Sequence, residues 1–540
     1  MAMIGQDKNP PTQWQIELAE LRVENARLRK ALAEQTARAE RAEEQVRNLE
    51  AKVTALEAER DQQAEVMDVM KAQLDELQRM VFGRSSERMP PVDVELRRTG
   101  KANRDAAAAA AAKRRKENKN KKASLETERI DHKVDRSGPP CPECGRDVDK
   151  FKQVGDGQTS DIYEFVPARF IRRRHYRETL ACPCGEHMVT AQGPAKVGEG
   201  GGNYGPGFIS HVMVSRAGDA IPFNRMEKQF KRLDIPIARA TMVKLFHRHA
   251  EEFRLLVDLM FQRIRGSPVV LADETPMKMQ RKFDTGKAGK GYFWVFIADD
   301  FIGYRFSPSR SGKTPSAVLG SSKGTLVVDA YTGYNKVTGT DARTRAGCLA
   351  HARRKFYKSL DKAPEAQTAL DFILEVYKVE HDAKAEGVVR KPDHLRMRRE
   401  QTRPVMDEFK KWLDQQAGVH PPKSPMGKAV GYALKNWEAL TQFLKSEQVP
   451  VDNNRSENAL RIVALHRKNS LTVGHDEAGE NHAVILSLVR TCEANDVNPQ
   501  EYLEDLLLRI QDWPSQRLDD LLPDNWKRLK EAGELPPINQ

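Results

Sequence analysis

The sequence predicts a multidomain α+β chain, and three observations predict it. Apolar positions spaced three and four apart run without a slip over residues 18–81, which requires one long helix. Two short apolar runs, Val269-Val270-Leu271-Ala272 and Thr325-Leu326-Val327-Val328, each end on an aspartate and enclose a hairpin and a helix. Between the second aspartate and Glu457 lie 127 residues, far more than a connection needs, and much of that span has a helical pattern. At 540 residues the chain has room for about three or four domains of ~150 residues each.

Taken in order, the first element is the long helix. Leu18, Leu21, Asn25, Leu28, Leu32, Gln35, Ala39, Ala42, Val46, Leu49, Val53 and Leu56 lead, past the polar Arg60 and Gln63, to Met67, Met70, Leu74, Leu77 and Val81. So narrow and long a seam suits a partner helix, and Asn25 at an a position favours a parallel, in-register homodimer at some loss of stability. The alternative is a long helix packed on its own protein. From Met89 to Ile130 the pattern dissolves into a linker with an alanine tract, Ala106 to Ala112, and seven cations in the ten residues 113–122. Such a run is either a solvated tail or a phosphate contact with little sequence preference.

Cys141-Pro142-Glu143-Cys144-Gly145 is a knuckle able to hold one side of a tetrahedral zinc, and Cys182-Pro183-Cys184-Gly185 supplies the other. The two tight pairs fit a reducing compartment with a metal site better than a disulfide framework. His187 is able to replace one thiolate. Between the knuckles, Phe170 to Arg177 alternates weakly like a strand and carries Arg172, Arg173 and Arg174, which suit a DNA backbone.

After a glycine-rich hinge, Gly198 to Gly207, a helix runs from Pro222-Phe223 to Leu233 and turns at Asp234-Ile235-Pro236-Ile237. A second helix, from Ala238 to His249, has Thr241, Lys244, His247 and Arg248 on its exposed side. This reads as a helix-turn-helix for DNA, or as a helical hairpin that merely packs.

Next comes the segment from Pro268 to Asp329. Its first strand ends on Asp273; the runs Gly291 to Ile297 and Ile302 to Phe306 form a hairpin across Asp299-Asp300-Phe301; Lys313 to Leu319 is helical; the last strand ends on Asp329. Strand, hairpin, helix, strand is the opening of a ribonuclease-H-like core, whose first and fourth strands lie side by side. Two carboxylates at neighbouring strand ends repel unless cations sit between them, so both read as metal ligands. A later helix that opens at Asp452-Asn453-Asn454, with Glu457 in its first turn, offers a third.

The stretches Ala272-Asp273-Glu274-Thr275-Pro276, Asp329-Ala330-Tyr331-Thr332-Gly333-Tyr334, Cys348-Leu349-Ala350-His351-Ala352-Arg353-Arg354-Lys355-Phe356 and Asp452 through Glu457 closely resemble the insertion-sequence-66 family of bacterial DDE transposases. Gln73 to Leu77 and Phe82 to Glu87 resemble that family's zipper exit, and the tail from His482 through Trp513 to Pro523 resembles its carboxyl-terminal part. The Cys182/Cys184 pair departs from it, being C-x-C where the family has C-x-x-C.

The resemblance implies catalytic and metal-binding roles for Asp273, Asp329 and Glu457. Together they would hold two Mg²⁺ about 4 Å apart, with Mn²⁺ able to substitute, one ion activating water and the other stabilising the leaving 3′-oxygen. The freed 3′-hydroxyl then attacks target DNA. Terminal inverted repeats and target would be the double-stranded DNA partners, and accessory proteins of the same element are further candidates. Cys348 and His351 follow a C-x-x-H pattern and read as packed scaffold for Arg353, Arg354 and Lys355, three cations expected to face DNA. Arg467 and Lys468, beyond Glu457, are candidate phosphate clamps.

The expected organisation is a coiled coil at 14–83, a basic linker at 84–130, a zinc-binding module with structural Zn²⁺ at 131–197 and the helix-turn-helix region at 205–265. The catalytic core occupies 266–347 and 448–480, interrupted by an all-helical insertion at 348–447 and followed by a helical cap at 481–540. Helices at Leu370 to Lys384, Leu395 to Gln416 and Met426 to Lys445 are expected in the insertion.

A formal net charge of +12 favours a polyanionic partner, although an even spread would mean only a solvated surface. No apolar run reaches 18 residues and residues 1–13 lack a signal-peptide core, so a cytoplasmic, nucleoid-associated protein without a membrane partner is expected. Two rivals are a dimeric DNA-binding regulator, which leaves the three acids unexplained, and a nuclease with a similar core that cuts without joining.

Overall fold

The computed structural model describes residues 179–181, 188–190, 204–280, 289–339 and 341–538, with the single residues 24, 27, 116, 170 and 197. The chain divides into two units, residues 1–89 and 90–540. In the first, Glu24 and Arg27 are helical and exposed; the rest of the expected coil, Asn25 included, lies outside the described residues. So do Cys141, Cys144, Cys182, Cys184, His187, Arg172, Arg173 and Arg174. Strands β1 (Thr179–Ala181) and β2 (Met188–Thr190) pair antiparallel, Thr179 opposite Thr190, and the second cysteine pair falls between them in sequence.

Three helices follow: α1 (Pro206–Ala217), α2 (Phe223–Arg232) and α3 (Arg239–Glu252). The expected turn between α2 and α3 is present, with Asp234 at φ 54°, a conformation that a short polar side chain tolerates. Glu227 accepts from the Arg239 N–H at 2.8 Å, satisfying one of the free donors at the start of α3. Val212, Met226, Phe230, Ile237 and Met242 form a small core of their own beneath the turn. Helix α4 (Arg254–Gly266) then leads into the sheet.

The sheet contains β3 (Val269–Met279), β4 (Gly289–Ala298), β5 (Phe301–Ser307), β6 (Thr325–Val327) and β7 (Thr344–Ala346), in the order β5-β4-β3-β6-β7. β4 runs antiparallel to both of its neighbours, β5 and β3, while β3, β6 and β7 run parallel, with α5 (Lys313–Leu319) between β5 and β6. β3 is longer than the sequence suggests. Its pairing with β6 stops at Leu271, but it continues along β4 to Met279, so Asp273 marks the end of the parallel ladder and not of the strand. Pro276 lies in that continuation, where β3 has no strand on its β6 side and a proline is tolerated.

A helical region follows: α6 (Leu349–Ser359), α7 (Ala366–Ala385), α8 (Pro392–Met397), α9 (Arg403–Val419), α10 (Pro425–Lys435) and α11 (Trp437–Leu440). The second expected helix is split by a wide π-type turn at Arg398–Thr402, just ahead of Pro404, whose missing N–H cannot continue an α-helical ladder. The third is broken at Asn436 rather than running to Lys445. Returning to the sheet, the chain forms α12 (Asn454–Ser470), α13 (Asp476–Ala494), α14 (Pro499–Arg509) and α15 (Pro523–Glu531).

Helix α13 covers β5, the edge of the sheet. Its Thr491 and Ser487 hydroxyls accept from the Ile302 and Tyr304 N–H groups at 3.0 and 2.7 Å, so donors that would otherwise be exposed along the edge are satisfied. The Phe306 ring lies between Gly291 on β4 and Gly479 on α13, and a β-carbon on either glycine would overlap it. One apolar core joins helices on both sides, from Met213 and Phe246 through Trp294, Phe356 and Phe409 to Leu488 and Trp526. No described helix is long and apolar enough to cross a membrane.

Candidate active site

Leu271, Val327 and Ala346 form one row across β3, β6 and β7. Two residues beyond that row stand Asp273, Asp329 and Cys348. Parallel pairing with a period of two therefore brings three chemically active side chains just past one end of the ladder that joins three adjacent strands. Asp273 Oδ1 accepts from the Glu274 N–H at 2.8 Å, and Asp329 Oδ1 from the Tyr331 N–H at 2.9 Å.

Glu457 arrives from α12, and the residues ahead of that helix hold it in place. The Asn453 side-chain amide donates to the Ala272 carbonyl at 2.8 Å, and its backbone N–H lies 3.2 Å from Cys348 Sγ. Tyr377 on α7 donates to Asp452 at 2.8 Å. Upstream, the buried Arg398 donates to the Phe443, Ser446 and Val449 carbonyls, each at 2.9 Å, while Glu380 accepts from it twice at 2.7 Å. Sequence reasoning missed these positioning residues. Only the capping types at 452–454 signalled any of them, because Tyr377 and Arg398 are far off in sequence and follow no motif.

Glu457 Oε2 accepts from Arg354 at 3.2 Å. Its Oε1 lies 3.6 Å from His351 Nδ1, and both atoms are buried without a hydrogen-bond partner. Asp273 is pushed up to about 7, first by burial, then by the charge of Glu274 and more weakly by Asp329 and Glu457, against the Glu274 N–H. Glu274 is raised by burial too, but Tyr334 and Arg310 hydrogen-bond it at 2.6 and 2.8 Å, so it is a paired acid and not an open one. Arg310 in turn stacks over Tyr331, 4.0 Å from the ring centre.

These acids fit a hard divalent cation. The donors are carboxylate oxygens, one is orphaned and buried, and a positive charge would offset the repulsion that raises Asp273. A single ion is not their only arrangement, since ligands of an ion pair about 4 Å apart spread wider than those of one ion. Among the described residues, the one group of three ligand-type side chains whose donor atoms all lie within 4.8 Å of one another is Cys348, His351 and Glu457. Cys348 and His351 were expected to be packed scaffold. The thiol is fully buried and pushed up to about 12, chiefly by burial, and burial also lowers His351.

The expected DNA contacts divide. Lys244, Arg248, Lys355 and Lys468 are exposed, and Thr241 is half-buried on α3. Arg353 corrects the expectation of three cations facing DNA: it is 1 % exposed, because its place in α6 turns it into the core beside Ala352 and Phe356. Arg354 reaches Glu457, and Lys355 lies over the Tyr432 ring at 4.6 Å. Arg467 donates to Thr275 and to the Pro276 carbonyl at 3.1 and 2.8 Å, tying α12 to β3.

Comparison with known proteins places the chain in a family. Residues 201–481 match the transposase IS66 family, residues 487–523 the IS66 C-terminal element, residues 140–185 the zinc-finger binding domain of transposase IS66, and residues 70–130 the transposase C of IS166 homeodomain. The uncharacterized protein y4jD of Sinorhizobium fredii (strain NBRC 101917 / NGR234) is 31% identical over 391 residues, 68% of this chain and 75% of that protein. The uncharacterized proteins y4hP and y4qI of the same strain are each 28% identical, over 435 and 421 residues, covering 76% and 74% of this chain and 76% of each relative. With a family match over more than half its length and a relative this similar, the chain belongs to the IS66 family of transposases.

Proposed function

We propose that this transposase binds the terminal inverted repeats of an insertion sequence, cleaves the ends and joins the 3′-hydroxyls to target DNA, with Asp273, Asp329 and Glu457 as the metal-binding triad. One observation carries the reading: Asp273 and Asp329 each stand two residues past the paired Leu271 and Val327 of adjacent parallel strands, and α12 brings the orphaned Glu457 carboxylate to the same end. The order β5-β4-β3-β6-β7, with the first three strands antiparallel and the rest parallel, supports a ribonuclease-H-like core. Mg²⁺, or Mn²⁺ in its place, would activate the attacking water there and neutralise charge on the leaving 3′-oxygen. The chain's own part is positioning. Asn453 sets the height of α12 against β3, Arg354 holds one Glu457 oxygen, and Arg310 with Tyr334 keeps Glu274 paired beside Asp273.

Lys244 and Arg248 on α3, Lys355 and Lys468, together with Arg172, Arg173 and Arg174, are the proposed DNA contacts. The cysteines of the zinc-finger region hold a structural Zn²⁺, and residues 14–83 form the dimer coil. Residues 348–447 form a helical insertion between the two parts of the core, 266–347 and 448–480.

A gel assay with Mg²⁺ on labelled end DNA tests the reading. Asp273→Asn, Asp329→Asn and Glu457→Gln should each abolish cleavage and joining while end binding survives, and double variants should be little worse than single ones. Cleavage by Asp329→Asn at the normal rate would sink the triad. Cutting with no joining of precut ends to a plasmid would leave a nuclease.

A further inference from the structure

We propose that Cys348, His351 and Glu457 form a binding site for a thiophilic divalent cation, Zn²⁺ in preference to Mg²⁺, beside the proposed triad. Their donor atoms lie within 4.8 Å of one another, close enough for one tetrahedral ion to gather them with small side-chain shifts. The His351 Nδ1 to Glu457 Oε1 separation of 3.6 Å is already near that between ligands of one zinc, and neither buried atom has a hydrogen-bond partner. A buried pair of this kind calls for an ion or a proton between them.

Cys348 caps α6 at its amino-terminal end, where the helix dipole favours an anion, and the Asn453 N–H approaches Sγ at 3.2 Å. The His351 backbone N–H is taken by the Cys348 carbonyl at 3.2 Å and not by the sulfur. A neutral thiol is a weak acceptor, whereas a metal-bound thiolate uses such a donor to spread its charge. Sulfur, imidazole nitrogen and one carboxylate oxygen select zinc over magnesium, which takes oxygen and water, and a fourth position remains for a water. On the reading that Glu457 serves the catalytic Mg²⁺, an ion here withdraws that carboxylate, so zinc acts as a brake on strand cleavage.

Co²⁺ is the probe, added without oxygen to the full-length protein brought to one zinc per chain, the amount that the four cysteines of the zinc-finger region would take and hold more tightly than cobalt. The wild-type chain should show a thiolate-to-cobalt charge-transfer band and bind one more Co²⁺ than Cys348→Ser or Cys348→Ala. His351→Ala should weaken that binding by ~10-fold or more. Asp273→Asn, which supplies no ligand, should keep the band, and thermal unfolding checks that each variant is folded. Identical spectra and stoichiometry for wild type and folded Cys348 variants would overturn the site. No DNA is present, so this outcome is independent of the triad. With each protein normalised to its own zinc-free cleavage at fixed Mg²⁺, Cys348→Ser should need ~10-fold more Zn²⁺ for half inhibition. Equal sensitivity would overturn the brake.

Discussion

Asp273 and Asp329 each lie two residues past the Leu271–Val327 pair that joins two neighbouring parallel strands. No hydrogen bond joins them, and each is instead held by a backbone N–H a residue or two further on. Their spacing is thus set by the ladder, while the cost of holding them falls on the protonation of Asp273.

That cost has a pH signature. Asp273 rises from an ordinary 3.8 to about 7 in the folded chain. Between those values the folded state keeps a proton that the unfolded state gives up, so the raised group lowers stability as pH climbs through the window, and the penalty is complete above about 7. In Mg²⁺-free buffer the melting temperature of wild type should fall relative to Asp273→Asn from pH 4 to pH 7. Added Mg²⁺ should then raise the wild-type melting temperature more at pH 8 than at pH 5, where it competes with the proton.

Asn453→Ala removes the amide that spans α12 and the Ala272 carbonyl. A loss of about 1–3 kcal/mol in stability is expected from the unsatisfied buried carbonyl. Cleavage rate should fall more than end binding, because Glu457 moves with the start of its helix. Proportionate losses of both would argue for general unfolding instead.

Arg398→Met should be among the most destabilising single changes in the helical region. It leaves Glu380 mostly buried without its bidentate partner and strips a donor from three carbonyls, an effect of about 3–5 kcal/mol measurable by urea unfolding. Arg398→Lys should recover little, since one ammonium cannot serve the carboxylate and three carbonyls in the same directions.

Gly479→Ala drives a methyl group into the Phe306 ring. A cost of about 1–3 kcal/mol is expected, and Gly479→Ala combined with Phe306→Leu should be less harmful than the sum of the two.

For the amino-terminal unit, a peptide of residues 18–81 should be helical and dimeric, and Asn25→Leu should raise its melting temperature while admitting other oligomers. A monomer in analytical ultracentrifugation would reject the coil.

Where local chemistry set an element, the sequence made it legible. β-branched runs marked β3 and β6, the polar turn at Asp234 separated α2 from α3, and the two aspartates stood where apolar runs stop. Hidden from it was whatever depends on partners distant in the chain. β3 looked finished at Asp273 because its continuation is polar and contains Pro276, yet β4 pairs with it to the end. Arg353 looked like one of three surface cations, and only the packing of α6 reveals that it faces inward. Cys348 and His351 were visible as a pair, but their nearness to Glu457 depends on α12, more than a hundred residues later.

The same separation governs when the site comes into being. Asn453 bonds a carbonyl 181 residues before it and approaches a sulfur 105 residues before it, and β5 has its edge sealed only once α13 exists. During synthesis from the amino terminus, the modules assigned to DNA recognition emerge and fold first. The strands that carry the two aspartates can pair while the chain is still attached to the ribosome, but the third acid is nearly a quarter of the chain further on. A truncated or nascent chain therefore holds an incomplete cutting centre, and any fragment ending before residue 457 should behave as a binder of DNA that cannot break it.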